Sequence, residues 1–361
     1  MKVCILGDGL VSLTLAKVLV LKGISVDIFF NSKIKKYSFT RTIGIAKSNV
    51  NYLDKKVLSI RKILWNIKKI KVYTENFKKN EILSFSNSND YTFSMVKNNE
   101  FYDILKKNLI NNKFVKFKKN KDYKEIIKEN YNLIINCDLN SQITRKFFSN
   151  KITKKYYSFA YTAIIDHKKI IKNNIATQVF TNNGPIAFLP ISNTQTSIVY
   201  SLRNKLNNNK YDIKKLIHRF NPKYEIIKIN SISKFKLNLS NLRNYYKNNI
   251  LAFGDLLHKI HPLAGQGFNM SLRDIKCLSQ LIDEKTDLGL DLDTTICHEF
   301  EKKMKDKNFI FSVGLDWIYE IFNIESKTKN EVLSKSINFL GKNKFLNSFF
   351  KKYADEGFIR E

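Results

Sequence analysis

The chain has 361 residues, of which 43% are hydrophobic, and a formal net charge of +31. This length and hydrophobic content exclude a disordered chain and allow at most about three domains. The lysines recur as short runs along the whole sequence, which favours solvated surface charge over a nucleic-acid-binding protein and leaves an anionic membrane face as a secondary partner.

Cysteine spacing and the N-terminal stretch bear on metal binding and location. The four cysteines are Cys4, Cys137, Cys277 and Cys297. Their spacing fits neither a zinc site nor a disulfide framework, so we expect no metal and a reducing compartment. The apolar start is interrupted by Asp8, Lys17 and Lys22, which predicts neither a signal peptide nor a spanning helix. The expected location is cytoplasmic, with peripheral contact at the inner face of the membrane.

The N-terminal part of the chain is predicted to form a βαβ unit. Residues 2–6 are an apolar run, a helical pattern of apolar residues follows up to Gly23, and residues 24–30 are rich in β-forming residues. Two strands joined by a helix in this way are parallel neighbours in one sheet.

A glycine motif lies between the first strand and the first helix. Gly7, Gly9 and Ser12 have the spacing of a dinucleotide-binding turn, in which small residues let backbone N–H groups approach a pyrophosphate. The acidic residue expected at the end of the second strand is replaced by Phe30, so Asn31 or Ser32 would meet a ribose hydroxyl instead. A plain tight turn between strand and helix remains the alternative.

The middle of the chain alternates predicted strands and helices. Residues 71–93 form short β-like runs, residues 101–109 have a helical pattern, and residues 133–135 read as a buried strand. The alternation of apolar residues and lysines around Val115 favours an edge strand over a base-stacking surface. Residues 156–240 are rich in β-branched and aromatic runs, which predicts a mainly antiparallel sheet inserted into the nucleotide fold.

Glycine, proline, histidine and aspartate concentrate in residues 254–269. Residues 250–253 read as a strand that places Asp255 at its carboxyl end, where α/β sheets bind ligands. Gly265, Gln266 and Gly267 then open a helix predicted over 268–281, and the pattern stays helical to the end of the chain. Glycines allow close backbone approach, and free N–H groups at a helix N-terminus stabilise negative charge. The stretch therefore predicts a cofactor seat, with Asp255 on a ribityl chain and residues 266–269 on a flavin ring.

Two histidines lie in the same stretch, at His258 and His261. A metal pair would need further ligands that the sequence does not offer, so we interpret both as turn and cap residues. Asp255 taken alone is equally consistent with an ordinary N-cap.

Three motifs together resemble those of the class A flavoprotein aromatic monooxygenases, and within them the ubiquinone-biosynthesis hydroxylases. The stretch GDLLHKIHPLAGQGFNMSLRD, residues 254–274, is similar to the family's second flavin motif. Residues 176–191 resemble its "F...GPxAxLPL" strands, and Arg41 resembles the arginine that reaches the cofactor's ribose and pyrophosphate. The resemblance covers nearly the whole chain.

Several positions depart from the family pattern. The family's "ADGxxSxxR" loop appears as residues 137–145, which keep Asp138 and Arg145 but have Leu139 in place of Gly and Gln142 in place of Ser. These changes, together with Ser12 and Phe30, affect the expected reductant contacts more than the flavin seat.

The resemblance implies an α/β fold, with an FAD-binding Rossmann-like domain interleaved with a mainly antiparallel β substrate domain and followed by a helical C-terminal region. The implied ranges are 1–70, 94–155 and 241–285 for the FAD-binding domain, 71–93 and 156–240 for the substrate-domain sheet, and 286–361 for the helical region.

The resemblance also implies a reaction. FAD is the cofactor, NAD(P)H and O₂ are co-substrates, and a peroxyflavin hydroxylates the ring of a polyprenylated phenol in ubiquinone biosynthesis, with other ubiquinone-biosynthesis proteins as candidate partners. The implied cofactor-binding residues are Gly7, Gly9, Ser12, Arg41, Asp138, Asp255, Pro262, Gly265, Gln266, Gly267, Phe268 and Asn269. Phe180, Phe188 and Leu189 are expected to line the substrate pocket. His261 and Pro262 are the candidate catalytic residues, with His261 either poising the phenol or supporting the turn.

Alternatives remain open at this point. A flavoprotein of the same fold that acts as a reductase or epoxidase on a polyprenyl lipid, and a non-catalytic homologue that acts as a scaffold, both fit the motifs. Residues 333–352 alternate apolar residues with lysines, and this tail lies on a membrane surface, packs on its own domain or packs on a sister hydroxylase.

Overall fold

A computed structural model describes residues 1–30, 40–75, 81–86, 90–119, 121–203, 211–261 and 265–328, with side chains through residue 320. Its strands are β1 (Lys2–Leu6), β2 (Ser25–Phe30), β3 (Thr42–Ala46), β4 (Trp65–Ile67), β5 (Lys69–Thr74), β6 (Leu83–Ser86), β7 (Phe93–Lys97), β8 (Val115–Lys119), β9 (Leu133–Asn136), β10 (Lys151–His167), β11 (Ile175–Thr181), β12 (Gly184–Pro190), β13 (Gln195–Arg203), β14 (Ile226–Ile229), β15 (Ser233–Leu242), β16 (Tyr246–Lys247), β17 (Ile250–Ala252) and β18 (His258–Lys259). Its helices are α1 (Leu10–Leu21), α2 (Lys47–Lys56), α3 (Asn98–Ile110), α4 (Tyr123–Lys128), α5 (Gln142–Phe147), α6 (Ile213–Phe220), α7 (Gln266–Asp287) and α8 (Thr294–Thr328).

The nucleotide-type part of the fold is a sheet with the strand order β16-β17-β9-β1-β2-β8 in the described chain. From β17 to β8 all neighbours are parallel, and β16 is antiparallel to β17. β1, α1 and β2 form the βαβ unit that the apolar pattern predicts, so this prediction is confirmed. β8 closes the sheet at one side, which confirms the edge strand expected around Val115.

A second, larger sheet carries the order β18-β15-β10-β13-β12-β11-β5-β6, with β14 paired to β10. Its pairs are antiparallel except for β11 with β5, which confirms the mainly antiparallel sheet expected from residues 156–240. β10 is long enough, at 17 residues, to pair with β13, β14 and β15. A small sheet with the order β3-β7-β4 lies beside the start of α7.

The largest apolar core fills the space between the parallel sheet and helices α1, α3, α7 and the first half of α8. The fully buried faces of β1 and β9 explain why both strands read as continuous apolar runs in the sequence. This core fixes the ends of the parallel strands, and the candidate site is built on those ends.

Helices α7 and α8 agree with the helical pattern expected after Ser271 as far as Thr328, while the tail at 333–352 lies outside the described residues. α7 begins at Gln266, before the predicted start at 268, because Gly265 has a left-handed backbone (φ 65°) that turns the chain directly into the helix. It also runs past the predicted end at 281 to Asp287. The division into domain ranges stays a prediction.

Candidate functional site

Three loops with predicted site residues meet at one edge of the parallel sheet. β1, β9 and β17 are adjacent parallel strands, so their carboxyl ends lie side by side. The ladder continues into the loops, where the Cys137 N–H donates to the Leu6 carbonyl at 2.9 Å and the Phe253 N–H donates to the Asn136 carbonyl at 2.9 Å. The fold therefore brings together the loops that hold Gly7, Asp138 and Asp255.

The first turn of α1 is closely packed by these loops. Gly7 has φ 96°, and a Cβ there would lie 3.5 Å from the Asp138 backbone nitrogen. Gly254 has φ 64°, and a Cβ there would lie 3.2 Å from Cγ1 of Val11. Glycine at both positions lets the two loops approach the helix N-terminus. Gly9 is the N-cap of α1 without a side-chain cap, and the first turn holds no acidic residue, so its N–H groups are available to an anion.

The Asp138 loop is held by its own short hydrogen bonds. The Asn140 N–H donates to Oδ1 of Asp138 at 2.9 Å, and the Thr144 hydroxyl donates to the Asp138 carbonyl at 2.6 Å. Ser141 caps α5 by accepting from the Thr144 N–H at 3.0 Å. Leu139, which replaces the family glycine, points outward and is exposed, so the loop keeps a defined turn without it.

A partly buried cysteine, Cys137, follows β9 at the same edge. Burial raises the pKa of the Cys137 thiol to about 12, although the neighbouring Ser12 hydroxyl lowers it. A thiol with this pKa stays protonated at neutral pH and is not a nucleophile. Ser12, the third position of the glycine motif, is itself buried in the first turn of α1.

Asn269 joins β3 to the start of α7 through its whole side-chain amide. Its Oδ1 accepts from the Ala46 N–H at 2.9 Å and from Nδ2 of Asn49 at 2.9 Å. Its Nδ2 donates to the carbonyls of Gly44 at 2.9 Å and Gly265 at 3.3 Å. The expected contact of Asn269 with a flavin ring stays a prediction, and any such contact would be made by its backbone.

The first turn of α7 is open. Gly265 is its N-cap without a side-chain cap, and the first turn has no acidic residue. A Cβ on Gly265 would lie 3.3 Å from the Gly44 backbone nitrogen, whereas a Cβ on Gly267 would meet nothing within 4 Å. Oε1 of Gln266 is buried without a hydrogen-bond partner among the described residues. Phe268 packs edge-on against Phe101, with ring centroids 5.9 Å apart.

These features fit FAD. Two uncapped helix N-termini, at α1 and α7, offer N–H groups to a pyrophosphate and to an electron-rich ring edge, and Gly267 leaves space for a flat group. Asp255 and Arg41 are both exposed, so their side chains are free of the core. The Arg41 carbonyl accepts from the Asn98 N–H at 3.0 Å, which fixes its backbone beside α3. Pro262 lies outside the described residues.

His258 and His261 are core residues rather than the turn and cap residues that the sequence suggested. Nε2 of His258 contacts Oδ2 of Asp274 at 2.6 Å, and Nδ2 of Asn308 donates to Oδ1 of the same carboxylate at 2.8 Å. This buried group ties β18 to α7 and α8. The sequence gives no signal for it, because the pairing depends on elements that meet only in the folded chain.

His261 lies among aromatic rings. Its imidazole stacks on Tyr319 with centroids 4.2 Å apart and meets Tyr156 edge-on at 5.3 Å. Burial lowers the pKa of His261 to about 3, with a smaller opposing effect from Glu320. Neither ring nitrogen has a hydrogen-bond partner among the described residues.

The three residues expected to line a substrate pocket do not share one face of the large sheet. Phe180 of β11 pairs with Pro185 of β12, so these two side chains lie on the same face of the sheet. Successive residues of a strand alternate between faces, which puts Leu189 on the face of Pro185 and Phe188 on the other face. Phe180 belongs to the cluster of Tyr156 and Tyr319, and Leu189 packs with Met95 and Ile67. Phe188 is fully buried in the opposite layer, next to Tyr224. The pocket expectation therefore needs correction for Phe188, which supports the sheet from behind.

The family comparison identifies the second half of the chain. The model of the family described as "SE: Squalene epoxidase" matches residues 130–348, which is more than half of the chain. The match includes the Asp138 loop, all strands of the large sheet except β5 and β6, and the start of α7.

Curated relatives are similar over shorter stretches. Ubiquinone biosynthesis monooxygenase COQ6, mitochondrial, of Xenopus tropicalis is 25% identical over 233 residues, 53% of this chain and 50% of that protein. The 3-demethoxyubiquinol 3-hydroxylase of Escherichia coli (strain K12) is 27% identical over 153 residues, 40% of this chain and 39% of that protein. The chain thus spans half or less of the length of these curated relatives.

Solved structures match over almost the full length. Klebsiella pneumoniae HpxO complexed with FAD and uric acid has a TM-score of 0.73 at 12% identity, covering 96% of this chain and 95% of that chain. The p-nitrophenol 4-monooxygenase PnpA from Pseudomonas putida DLL-E4 has a TM-score of 0.77 at 13% identity, covering 99% and 98%. The chain therefore has the fold of these proteins, which confirms the expected α/β fold.

Removal of the Asn269 amide tests the junction of β3 and α7. We expect Asn269→Ala to lower the free energy of unfolding by about 2–4 kcal/mol, because buried backbone groups of Ala46 and Gly44 lose their partners. Chemical denaturation measures the change. The exposed Asn244→Ala is the matched control, with a change within about 0.5 kcal/mol. Equal stability of the two variants would contradict the junction.

Proposed function

Because the chain belongs to the squalene epoxidase family, we propose that it is an FAD-dependent monooxygenase that hydroxylates the aromatic ring of a polyprenylated phenol. The relatives named for ubiquinone biosynthesis support the substrate class, and the FAD complex with the same fold supports the cofactor. NAD(P)H is the proposed reductant and O₂ the co-substrate. The observation that carries the proposal is the open, uncapped first turn of α7 at Gly267.

Residues from three loops would hold the cofactor in this proposal. The N-terminus of α1, with Gly7, Gly9 and Ser12, would bind the pyrophosphate. Asp138 and Arg41 would reach the same region from the two flanking loops.

The remaining contacts concern the other half of the cofactor. Asp255 would hydrogen-bond to the ribityl hydroxyls, and the backbone N–H groups of residues 266–269 would stabilise the electron-rich edge of the ring.

The protein supplies positioning and a dry site. FAD, when bound and reduced by NAD(P)H, would supply the activation of oxygen. The apolar layer around Phe180 and Leu189 excludes water and places the substrate ring, while Phe188 supports the sheet from the opposite face. His261 and Pro262 stay the candidate catalytic residues.

Epoxidation of an isoprenoid double bond is the second candidate function. The match of residues 130–348 to the squalene epoxidase model favours it. Both reactions need the same cofactor and reductant, and they differ in which part of a prenylated substrate receives the oxygen atom. A chain that binds FAD and turns over neither substrate would act as a scaffold.

A membrane surface is the proposed site of encounter with a lipid-tailed substrate. Among the residues that the structure describes, no helix has the length and apolar composition needed to cross a bilayer. α8 exposes Phe309, Ile310 and Trp317, with Trp317 65% exposed, and Lys303 and Lys307 lie on the same helix. This surface, together with the lysine-rich tail at 333–352, suits the headgroup region of an anionic membrane.

The position of the added oxygen separates the two candidate reactions. We expect the full chain, loaded with FAD and supplied with NAD(P)H, to add one oxygen atom to the ring of 2-geranylphenol and equally to its analogue with a hydrogenated side chain. Mass spectrometry of the products makes the measurement. Product from the unsaturated substrate alone would favour epoxidation, and a lack of product from FAD-loaded protein would contradict both enzymes and favour the scaffold.

Gly267 tests the ring seat without disturbing the fold. We expect Gly267→Leu to keep or raise the melting temperature, because leucine favours a helix by about 0.8 kcal/mol over glycine and its Cβ meets no neighbour. The same variant should lose FAD during gel filtration, as judged by the ratio of flavin to protein absorbance. Gly267→Ala is the graded control and should retain more FAD. Full flavin occupancy in the leucine variant would argue against this seat.

Trp317 tests the membrane surface. We expect the full chain to sediment with vesicles of phosphatidylglycerol and phosphatidylcholine and much less with phosphatidylcholine alone. Trp317→Ser should weaken the binding several-fold, since the exposed indole enters the headgroup region. Leu288→Ser, at an equally exposed apolar position at the end of α7, is the control and should bind as the unchanged chain does. Identical binding of the two variants would exclude this face.

A further inference from the structure

His261 carries two buried polar atoms that the fold leaves without partners. The side chain belongs to a residue that is 2% exposed, and both Nδ1 and Nε2 lack a hydrogen-bond partner among the described residues. A neutral imidazole always presents one N–H donor and one acceptor nitrogen. Each buried group left unsatisfied costs about 1–3 kcal/mol, so a purely structural position of this kind would favour phenylalanine.

Two buried aromatic rings pack directly around His261. Tyr319 stacks on the imidazole with an interplanar angle of 28°, and Tyr156 meets it edge-on at 88°. We call Tyr156 and Tyr319 the aromatic cage. Both tyrosines belong to the same apolar cluster as Phe180, on the face of the large sheet opposite to Phe188.

The backbone of β10 is strained next to Tyr156, one of the two residues of the aromatic cage. The pairing of β10 with β15 shifts register between Lys155 and Ser158, and Tyr157 has φ 50°, a left-handed value that is unfavourable for a side chain of this size. Tyr157 is exposed, so its own contacts do not explain the strain. The bulge turns Tyr156 inward, and strain of this kind persists in proteins mainly at functional sites.

A second buried polar atom without a partner belongs to a residue five positions later in the sequence. Oε1 of Gln266 is buried without a partner among the described residues, at the first position of α7. His261 and Gln266 thus both present buried polar atoms that a ligand would satisfy.

We propose that His261 binds the hydroxyl group of the aromatic substrate through an unpartnered ring nitrogen, with Tyr156 and Tyr319 as the walls of the aromatic cage. The inference rests on the proposed function, because it assigns a recognition residue to the same reaction. A single neutral hydrogen-bonding point between aromatic rings selects a hydroxylated aromatic ring over an ionised or purely aliphatic ligand.

The contact is a hydrogen bond in which the phenol keeps its proton. A histidine whose pKa is about 3 is too weak a base to remove a proton from a phenol, whose pKa is near 10 for tyrosine. The phenol O–H therefore donates to the neutral ring. His261 is a positioning residue in this role.

The charged groups near the cage are engaged with one another. Asp316 accepts from the Tyr156 hydroxyl at 2.7 Å and from Nζ of Lys154 at 2.8 Å, and the same Lys154 donates to Glu320 at 2.8 Å. These groups come from β10 and α8, and Glu320 opposes the lowering of the His261 pKa by burial. Since His261 is neutral throughout this range, binding of the phenol should not change with pH.

The experiment compares two probes and three variants. The probes are 2-geranylphenol and its methyl ether, which cannot donate a hydrogen bond. Binding is measured by calorimetry on FAD-free full-length chain and by the change of flavin absorbance on FAD-loaded chain. We expect the unchanged protein to prefer the phenol about tenfold, the equivalent of one buried hydrogen bond, at every pH from 5 to 8.

Variants at position 261 test whether the ring nitrogens of His261 cause the preference for the phenol. His261→Phe should lose the preference, bind the ether as before and melt at the same or a higher temperature, whereas His261→Gln should keep part of the preference. His218→Phe, at an exposed position on α6, is the matched control and should behave as the unchanged protein.

The outcomes separate this inference from the function on which it rests. Three results would overturn the inference. The preference for the phenol over its ether could persist in His261→Phe, it could be missing in the unchanged protein, or it could become smaller when the pH is lowered below 6.5. A loss of FAD affinity in His261→Phe with the phenol preference intact overturns it as well, because the residue would then contact the cofactor. If the chain does not bind FAD, the proposed function is contradicted. Calorimetry on FAD-free protein still measures whether the chain prefers the phenol to its ether, so the inference about His261 is tested separately.

Discussion

The structure depends on one side-chain amide that is used completely inside the protein. The Asn269 side chain accepts from Ala46 of β3 and from Asn49 and donates to Gly44 of β3 and to Gly265, and this fixes the start of α7 against the small sheet. The Asn269 side chain is used for these contacts, and Gly265 begins the helix without a side-chain cap. The N–H groups in the first turn of α7 therefore stay available to a ligand. A helix end of this kind attracts an anionic or electron-rich group, and Gly267 leaves space in front of it.

The rest of the site follows from the order of strands. β17, β9 and β1 end side by side, so loops that are far apart in sequence meet at the N-terminus of α1, and the glycines at 7 and 254 let them pack closely. The large sheet presents a different chemistry, with an apolar face that carries Phe180, Leu189 and the aromatic cage. An oxygenase needs both: a polar seat for a charged cofactor and a dry face for an apolar substrate.

Local patterns predicted much of this arrangement. The βαβ unit, the edge strand around Val115 and the glycine-led start of α7 follow from periodicity and from glycine chemistry that act within a few residues. Contacts between segments that are distant in sequence could not be predicted from such local patterns. The partner of His258 is Asp274, the rings around His261 come from β10 and α8, and the side of the sheet that Phe188 occupies is set by strand register. A motif can thus predict local elements correctly, while the surroundings of its single residues depend on tertiary packing.

Diffraction from crystals of the full chain with FAD tests the central claim most directly. The account predicts that the N1–C2=O edge of the flavin lies within hydrogen-bond distance of backbone N–H groups in residues 266–269, with the pyrophosphate at the N-terminus of α1. A flavin bound elsewhere, with the first turn of α7 facing only solvent, would contradict it.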